Sequence, residues 1–460
     1  MFRTVQGAKV NLLKYVLVGV GRADCTGPTA EITLMGYAKL DQKGCGLHLR
    51  QFARAFIFDD GANRVLFVSI DACMVGFSLK NAVLEKLEEL YNDTYTHENF
   101  ILSGTHTHGA PGGFLVDVLY DITELGFCKE TFDAYTNGIF NAIKQAHEHV
   151  TESHVYFSKG EVDANINRSP ASYDLNPEAE RKQYEYNTDK TLTQLKIVRA
   201  SDGVLLGAIN WYAVHAVSLN NTNCLVTSDN VGYASVLLES EYNPGKLVGQ
   251  GDFVGAFASS NLGDVSPNMF GPICVNTGEP CDYQTSTCDG EAKYCIAMGP
   301  GENMFESAEI IATRLFTKSK DLLINDNTAR ELTGSVKFIH QWVEMPKQIT
   351  DVQLENGTTH TVSGNPRNNP MQDATFLTVE LQGVDGAWNI IATDANFETR
   401  FIWKKTSVLM GTSEAEIQWD VRENIQPGVY RIRHFGYYKL ILGGIFPYEG
   451  TSNSFSVVSP

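Results

Sequence analysis

The sequence lacks the features that would assign this chain to a membrane span or to nucleic acid. No apolar run reaches the roughly 18 residues that a membrane-spanning helix needs. Basic residues are few, with 36 Lys and Arg against 54 Asp and Glu, and the net charge is −18. Because binding of a phosphate backbone needs a basic surface, we expect no nucleic-acid partner. Internal repeats and low-complexity tracts are also absent, which is typical of an ordinary globular protein.

The N-terminal region lacks the long uninterrupted apolar core of a clear signal peptide. The first 14 residues, with the run YVLVGV at 15–20, resemble such a peptide only loosely. The run GVGRAD at 19–24 instead predicts a strand and turn of the folded protein. We therefore predict no clear signal peptide here.

Cysteine is concentrated in one loop. Four of the nine cysteines recur at seven-residue spacing, in a stretch rich in Gly, Pro, Asp, Thr and Ser: Cys274, Cys281, Cys288 and Cys295. Zinc sites prefer closer ligands, so this spacing favours disulfides, and three pairings are open. Asn-x-Ser/Thr sequons at positions 92, 167, 220 and 356 add to this. Together they predict an oxidising, extracellular compartment.

The most informative motif is THTHG at 105–109, directly after the apolar run FIL at 100–102. Alternate residues of an extended chain face the same side, so His106 and His108 can enter one site. A third histidine, His215, ends another apolar run at 205–214. Histidines delivered from strand ends are typical of a catalytic zinc that keeps one position open for water. The alternative is a hydrogen-bonded loop pair without a metal.

The pattern around this motif predicts an α/β domain followed by an all-β domain. A buried run at 65–70, a helical pattern at 79–90 and the FIL run form one β-α-β unit, with the histidines at its carboxyl edge. Further helices are predicted at 130–148 and 307–323. After about residue 346, short β-rich runs separated by turns predict an antiparallel sandwich. Those runs are at 376–381, 388–391 and 429–433.

Taken in order, the motifs resemble those of the neutral ceramidases, amidases that cut ceramide into sphingosine and a fatty acid. The resemblance runs from near residue 15 to the end of the chain. It rests on segments at 18–24, 35–38, 103–108, 166–170, 210–215, 228–235 and 257–268, with 398–401 and 427–433 in the tail. It implies an α/β amidase domain at 1–345, incomplete at its C-terminal side, and an immunoglobulin-like β domain at 346–460.

The resemblance also implies roles for single residues. His106 and His215 would bind the catalytic zinc, and His108 would stabilise the oxyanion or shuttle a proton beside it. Arg168 would reach the polar head of the substrate, and Ser266 matches the family's catalytic serine. No Gly-x-Ser-x-Gly elbow surrounds Ser266, so we expect zinc-activated water to attack and Ser266 to position the substrate. The alternative for Ser266 is a turn residue before a proline.

Two further expectations come from the resemblance. The first cysteine of the loop would pair with the third, which implies Cys274–Cys288 and Cys281–Cys295, while the remaining five cysteines are expected to be free or buried. In the tail, a run with oxygen donors suited to calcium resembles the family's calcium-binding segment, with an ordinary β-turn as the alternative. Its candidate ligands are Asp394, Asn396 and Thr399.

The chain departs from the family after residue 343. A Pro-Gly-Glu-Phe-Thr motif with a glutamate zinc ligand and an Asn-x-Tyr-x-x-Tyr segment are both absent, as if by internal deletion. Two histidines alone make a weak zinc site, and Asp229 or Asp264 could replace the missing carboxylate.

These observations leave three interpretations. The first is a zinc-dependent ceramidase that acts on ceramide at a membrane surface, secreted or at the cell surface. The second is an inactive relative that binds lipid or protein, because the glutamate and tyrosine ligands are missing. The third, a non-lipid metallo-amidase, is disfavoured by the density of specific motifs.

Overall fold

The computed structural model divides the chain into two compact units, Met1–Gln341 and Trp342–Pro460. This division lies close to the boundary at 345/346 that the sequence predicts. No helix among the described residues has both the length and the apolar character needed to cross a bilayer. The structure describes residues 15–116, 120, 123–343, 349–353, 359–363, 377–393, 399–407, 412–419, 421, 425–440 and 443–458.

The first unit alternates strands with helices. Its strands are β1 Val16–Asp24, β2 Ala30–Met35, β3 Lys43–Leu47, β4 Phe52–Asp59, β5 Arg64–Ile70, β6 Phe100–Gly104, β7 Ala110–Pro111, β8 Thr151–Glu161, β9 Ile166–Asn167, β10 Thr191–Arg199, β11 Leu205–Tyr212, β12 Leu225–Val226, β13 Val254–Ser259, β14 Val265–Ser266, β15 Gly271–Cys274, β16 Cys295–Met298 and β17 Arg330–Leu332. Its described helices are α1 Phe77–Tyr91, α2 Lys129–Glu148, α3 Pro170–Tyr173, α4 Glu178–Arg181, α5 Asp229–Tyr242 and α6 Met304–Asn325, with 3₁₀ turns at Asn92–Thr94 and Ala292–Tyr294.

A large mixed sheet forms the centre of this unit. Its strand order is β13-β11-β10-β8-β1-β4-β5-β6, with β17 beside β8. The pairs β5–β6 and β11–β13 are parallel, and the other neighbours are antiparallel. Helices α1 and α2 bury their apolar faces with β4 and β5, while α5 and α6 do so with β11 and β13. These two layers form the hydrophobic core.

The predicted β-α-β unit and its neighbours are confirmed. Strands β5 and β6 run parallel with α1 between them, and the helices predicted at 130–148 and 307–323 correspond to α2 and α6. The run GVGRAD lies within β1. There a Cβ atom on Gly19 or Gly21 would lie within about 2 Å of a carbonyl oxygen of α2, so these glycines allow the helix to approach the strand closely.

The second unit is an antiparallel β region. Its main sheet has the strand order β21-β20-β24-β25, and β26 pairs with β24. Two separate hairpins, β18–β19 and β22–β23, belong to the same unit. Leu377, Val379 and Tyr430 are fully buried in its core. The immunoglobulin-like topology stays a prediction. The strands are β18 Ile349–Gln353, β19 Thr359–Ser363, β20 Leu377–Gln382, β21 Trp388–Thr393, β22 Thr399–Ser407, β23 Thr412–Trp419, β24 Gly428–Leu440, β25 Gly443–Thr451 and β26 Phe455–Val457.

The structure contains the two disulfides that the resemblance implies. Cα atoms lie 5.7 Å apart in Cys274–Cys288 and 5.8 Å apart in Cys281–Cys295. Our expectation for the other five cysteines is wrong in part, because Cys45 and Cys224 form a third bond with a Cα separation of 5.2 Å. No spacing pattern in the sequence predicts a bond between two cysteines that are 179 positions apart. The cysteines that carry free thiols are Cys25, Cys73 and Cys128.

Candidate active site

The three histidines come together because the central sheet curls. Its end strands, β6 and β13, approach each other, and the Ser259 hydroxyl donates a hydrogen bond of 3.2 Å to the Gly104 carbonyl. His106 follows β6 and His215 follows β11, and the curl of the sheet brings the ends of these two strands together. The ring centre of His106 is 4.7 Å from those of His108 and of His215, and the latter two are 5.7 Å apart.

Backbone carbonyls fix the orientation of two of these rings. Nδ1 of His106 lies 2.6 Å from the Cys73 carbonyl oxygen, and Nδ1 of His215 lies 2.8 Å from that of Leu262. A carbonyl can only accept, so each Nδ1 carries the proton and each Nε2 keeps a free lone pair. This arrangement is typical of histidines that bind a metal through Nε2.

His106 also has an unusual main chain. Its φ is 67°, in the left-handed region that side chains other than glycine seldom adopt. Its backbone N–H donates to the Ala72 carbonyl at 2.9 Å. The turn that ends β5 therefore holds both the main chain and the ring of His106. Strain of this kind is concentrated at functional sites.

His108 is packed tightly between its neighbours. Its Nε2 lies 3.2 Å from Nε2 of His106, and the Tyr37 ring contacts it edge-on at 4.7 Å. A Cβ atom on Gly36 would lie 2.4 Å from the ring, so only glycine fits there. Burial, with the adjacent His106 and His215, lowers the pKa of His108 to about 3. Burial and His106 lower the pKa of His215 to about 4, so both rings are neutral near pH 7.

The donor set consists of imidazole nitrogens, which suit zinc better than they suit calcium or magnesium. Among the described residues, Cys73, His106 and His108 offer ligand atoms within 4.8 Å of one another. Cys73 is the weaker ligand of these, because its sulfur approaches His106 at Nδ1, 3.8 Å away, where the carbonyl already binds. Burial raises the pKa of the Cys73 thiol to about 12, which keeps it protonated. Of the three predicted histidines, this compact group therefore contains His106 and His108 but not His215, and the set of zinc ligands stays a prediction.

Ser266 lies in a small two-stranded sheet, and Arg168 directly follows the other strand of that sheet. Strand β14 pairs with β9, and the Arg168 N–H donates to the Asp264 carbonyl at 2.9 Å. The exposed Arg168 is near enough that its charge contributes to the low pKa of His108 and His215. The Ser266 hydroxyl accepts a hydrogen bond from the Asn268 N–H at 3.1 Å. Within the described part of the chain no histidine lies within hydrogen-bonding distance of it.

Sequence analysis missed the residues that support His215. The buried carboxylate of Asp229 accepts hydrogen bonds from the backbone of Ser218 and Leu219 at 3.1 and 3.0 Å. Burial raises its pKa to about 6. Asn230 donates to the His215 carbonyl at 3.2 Å. Asp229 is therefore committed to the loop, and our suggestion that it replaces a zinc ligand is wrong. The signal available in the sequence was Asp229, a charged residue in the otherwise uncharged motif at 228–235.

The candidate calcium ligands are only partly described. Asp394 and Asn396 lie outside the described residues. Thr399 is buried at the start of β22. The calcium site stays a prediction.

Comparisons with known proteins identify the family of this chain. The family described as "Neutral/alkaline non-lysosomal ceramidase, N-terminal" matches residues 16–406. The neutral ceramidase of Drosophila pseudoobscura pseudoobscura is 36% identical, with 96% of each chain covered. Neutral ceramidase B of Dictyostelium discoideum is 43% identical over 84% of this chain and 53% of its own length.

The chain belongs to the neutral ceramidase family. Two solved structures share the fold of this family member at 21% sequence identity, and each alignment covers 98% of this chain and 100% of the other. One is a ceramidase complexed with C2, with a TM-score of 0.53, and the other is the neutral ceramidase from Pseudomonas aeruginosa, with a TM-score of 0.52.

The Drosophila alignment also bears on the internal gap. It extends over 676 positions, whereas this chain has 460 residues. The relative therefore carries a long stretch without a counterpart here, in agreement with the deletion that the missing motifs indicate.

Proposed function

We propose that this chain is a zinc-dependent amidohydrolase that cleaves ceramide to sphingosine and a fatty acid. The observation that supports it most is the pair of imidazoles, His106 and His215, with ring centres 4.7 Å apart and Nδ1 atoms bound to carbonyls. In each ring Nε2 is the nitrogen that would bind a shared metal, and in His106 it also lies 3.2 Å from Nε2 of His108. Zinc bound there would lower the pKa of a water molecule toward ~7 and polarise the amide carbonyl.

The neighbouring side chains supply the remaining chemistry. The neutral His108 can donate an N–H to the oxygen that becomes negative, or accept the proton that the attacking water loses and pass it to the leaving amine. Arg168 is exposed beside the cleft and can bind the polar head of the substrate. Ser266 has no base to activate it, so we assign it to positioning the substrate rather than to attack.

An exposed apolar surface supports a lipid substrate that is taken from a membrane. Downstream of His108, the Cys128 N–H donates a hydrogen bond to the Gly113 carbonyl. Large apolar side chains in this region and at the start of α1 are exposed to solvent, and exposed apolar groups are typical of interaction surfaces. They are Phe77, Val116, Leu125 and Phe127.

The covalent features support an extracellular or cell-surface location, which we propose for this chain. Three disulfides are typical of an oxidising compartment. Sequon residues Asn92 and Asn220 are exposed and accessible to glycosylation, whereas Asn167 is buried and donates to the Asn187 carbonyl. The sequon at 356 lies outside the described residues.

A second candidate, an inactive relative that binds lipid or protein, is supported by the ligand set. Across the residues that the structure describes, the tight group around His106 and His108 contains Cys73 and no carboxylate. Such a chain would retain the apolar surface without hydrolysing the substrate.

Sphingosine release from ceramide in mixed micelles separates the two candidates. The first predicts release that a chelator abolishes and that added zinc restores, and the variant His106→Ala should be silent. The exposed His149 provides a matched control, because His149→Ala should retain the wild-type rate. No release by the zinc-loaded wild-type chain, with retained binding to ceramide vesicles, would favour the second candidate.

A further inference from the structure

A buried cluster of four charged side chains lies beneath the histidines. The side chains of Arg22, Arg54, Asp71 and Glu239 are each less than 5% exposed. Arg54 lies at the centre, with Nη1 2.9 Å from Asp71 Oδ2 and Nε 3.0 Å from Glu239 Oε1. Nη1 of Arg22 lies 3.0 Å from the same Glu239 oxygen. Two positive and two negative charges balance, which a buried ion cluster requires because desolvation is costly.

On one side of this cluster, Asp71 belongs to the turn whose carbonyls bind His106. Asp71 belongs to the turn that ends β5, and its carboxylate also accepts the Phe52 N–H at 2.9 Å. The next two residues of that turn, Ala72 and Cys73, provide the carbonyls that bind the main chain and the ring of His106. The position of Asp71 therefore sets the position of that ring.

On the other side, Glu239 belongs to the helix whose first residues bind the loop and the carbonyl of His215. Glu239 lies in α5 and also accepts the Gly255 N–H at 3.2 Å. The same helix begins with Asp229 and Asn230, which bind the loop and the carbonyl of His215. A helix transmits position rigidly over the roughly 15 Å between its first residue and Glu239. The position of Glu239 therefore sets the position of His215.

We propose that Arg54 is a positioning residue for the metal centre, which it serves by fixing the separation of His106 from His215. Its planar guanidinium donates to Asp71 through Nη1 and to Glu239 through Nε and Nη2. Arg54 therefore joins the turn that supports His106 to the helix that supports His215 in one geometry. A lysine at this position has a single ammonium and cannot hold both carboxylates in that geometry. This inference rests on the zinc site of the proposed function.

The test compares Arg54→Lys with Arg64→Lys. Arg64 pairs with Asp59 across the same two strands, β4 and β5, at the far end from the histidines. Zinc affinity is measured by competition with a chelator, the geometry by the visible spectrum of bound Co²⁺, and folding by the Tm of the metal-free protein. Arg54→Lys should raise the zinc Kd roughly 10–100-fold and change the Co²⁺ spectrum, as loss of outer-shell support does. Arg64→Lys should leave both unchanged.

A folded Arg54→Lys protein with the wild-type Kd and Co²⁺ spectrum would overturn the inference while leaving the zinc site in place. If Arg54→Lys does not fold, the double variant Arg54→Met with Asp71→Asn takes its place, because it leaves Glu239 paired with Arg22. Wild-type zinc affinity in that variant would overturn the inference equally. A wild-type chain without measurable zinc affinity would instead overturn the proposed function itself.

Discussion

Burial sets the protonation state of the histidine site at the scale of single residues. An exposed histidine has a pKa of about 6.5. In this cleft the pKa falls to about 4 for His215 and to about 3 for His108, because the charged ring would be desolvated and would face its neighbours. Both rings are therefore in the neutral form that binds a metal and donates an N–H at neutral pH.

The metal-free protein should lose stability as the pH falls from about 7 to about 5. Unfolded histidines, with a pKa near 6.5, bind more protons than the folded ones in this range, so stability rises with pH. Above about pH 6.5 these two histidines no longer change the free energy of unfolding. Below that pH each of them lowers the free energy of unfolding by up to about 1.4 kcal/mol per pH unit. Asp229, with its pKa raised to about 6, acts in the opposite direction below pH 6.

The Tm of the metal-free protein at the two pH values measures this effect. The double variant His108→Asn with His215→Asn retains Asp229 but lacks the two rings. Its Tm should fall less on acidification than that of the wild type. An equal fall of the Tm in both proteins would contradict the lowered pKa values of His108 and His215.

Gly36 should be difficult to replace, because it lies against the His108 ring. In Gly36→Ala the new methyl group would lie 2.4 Å from the His108 ring at a φ of +131°, so the ring must move. Gly61, with φ +82° and no atom within 4 Å of an added Cβ, is the matched control for backbone strain. Gly61→Ala should cost roughly 1–2 kcal/mol, the usual cost of a left-handed side chain.

Denaturant unfolding and sphingosine release would be measured on both variants. Gly36→Ala should be the less stable of the two and should also lose activity. Equal stability with full activity in Gly36→Ala would show that His108 does not need its present position.

Local elements could be predicted from the sequence, whereas their assembly could not. The β-α-β unit and helices α2 and α6 follow from apolar periodicity, which depends on neighbouring residues. The curl that joins β6 to β13 depends on contacts more than 100 residues apart, such as Ser259 to Gly104. For the same reason Arg54 gave only a weak signal, as one charge inside the apolar strand β4.

The Cys45–Cys224 disulfide is the clearest long-range connection between elements. It links β3 to the loop before β12, next to the segment that supports His215. Replacing both cysteines by alanine should destabilise the protein by roughly 2–5 kcal/mol. Cys25 with Cys128, both free thiols, is the matched control pair.

Non-reducing peptide mapping checks the underlying assignment. It should return three linked pairs, Cys45–Cys224, Cys274–Cys288 and Cys281–Cys295. A free thiol at position 45 or 224 in the purified, non-reduced protein would contradict it.

At the scale of the whole molecule, the missing stretch limits the expected activity. Fewer ligands hold zinc more weakly, and typical catalytic sites have three protein ligands. The chain as it stands should therefore hydrolyse ceramide much more slowly than a version with the relative's stretch inserted between residues 343 and 349. Sphingosine release by both proteins at equal zinc loading measures this difference. Equal rates would mean that another residue of this chain completes the site.

The zinc content of the purified chain tests the central claim most directly. Elemental analysis after zinc reconstitution and dialysis should give about one zinc per wild-type chain, as a single mononuclear site requires. The variants His106→Ala and His215→Ala should each retain almost none, while His149→Ala, at an exposed position, should match the wild type. A wild-type chain without zinc, or histidine variants that hold as much zinc as the wild type, would contradict the account.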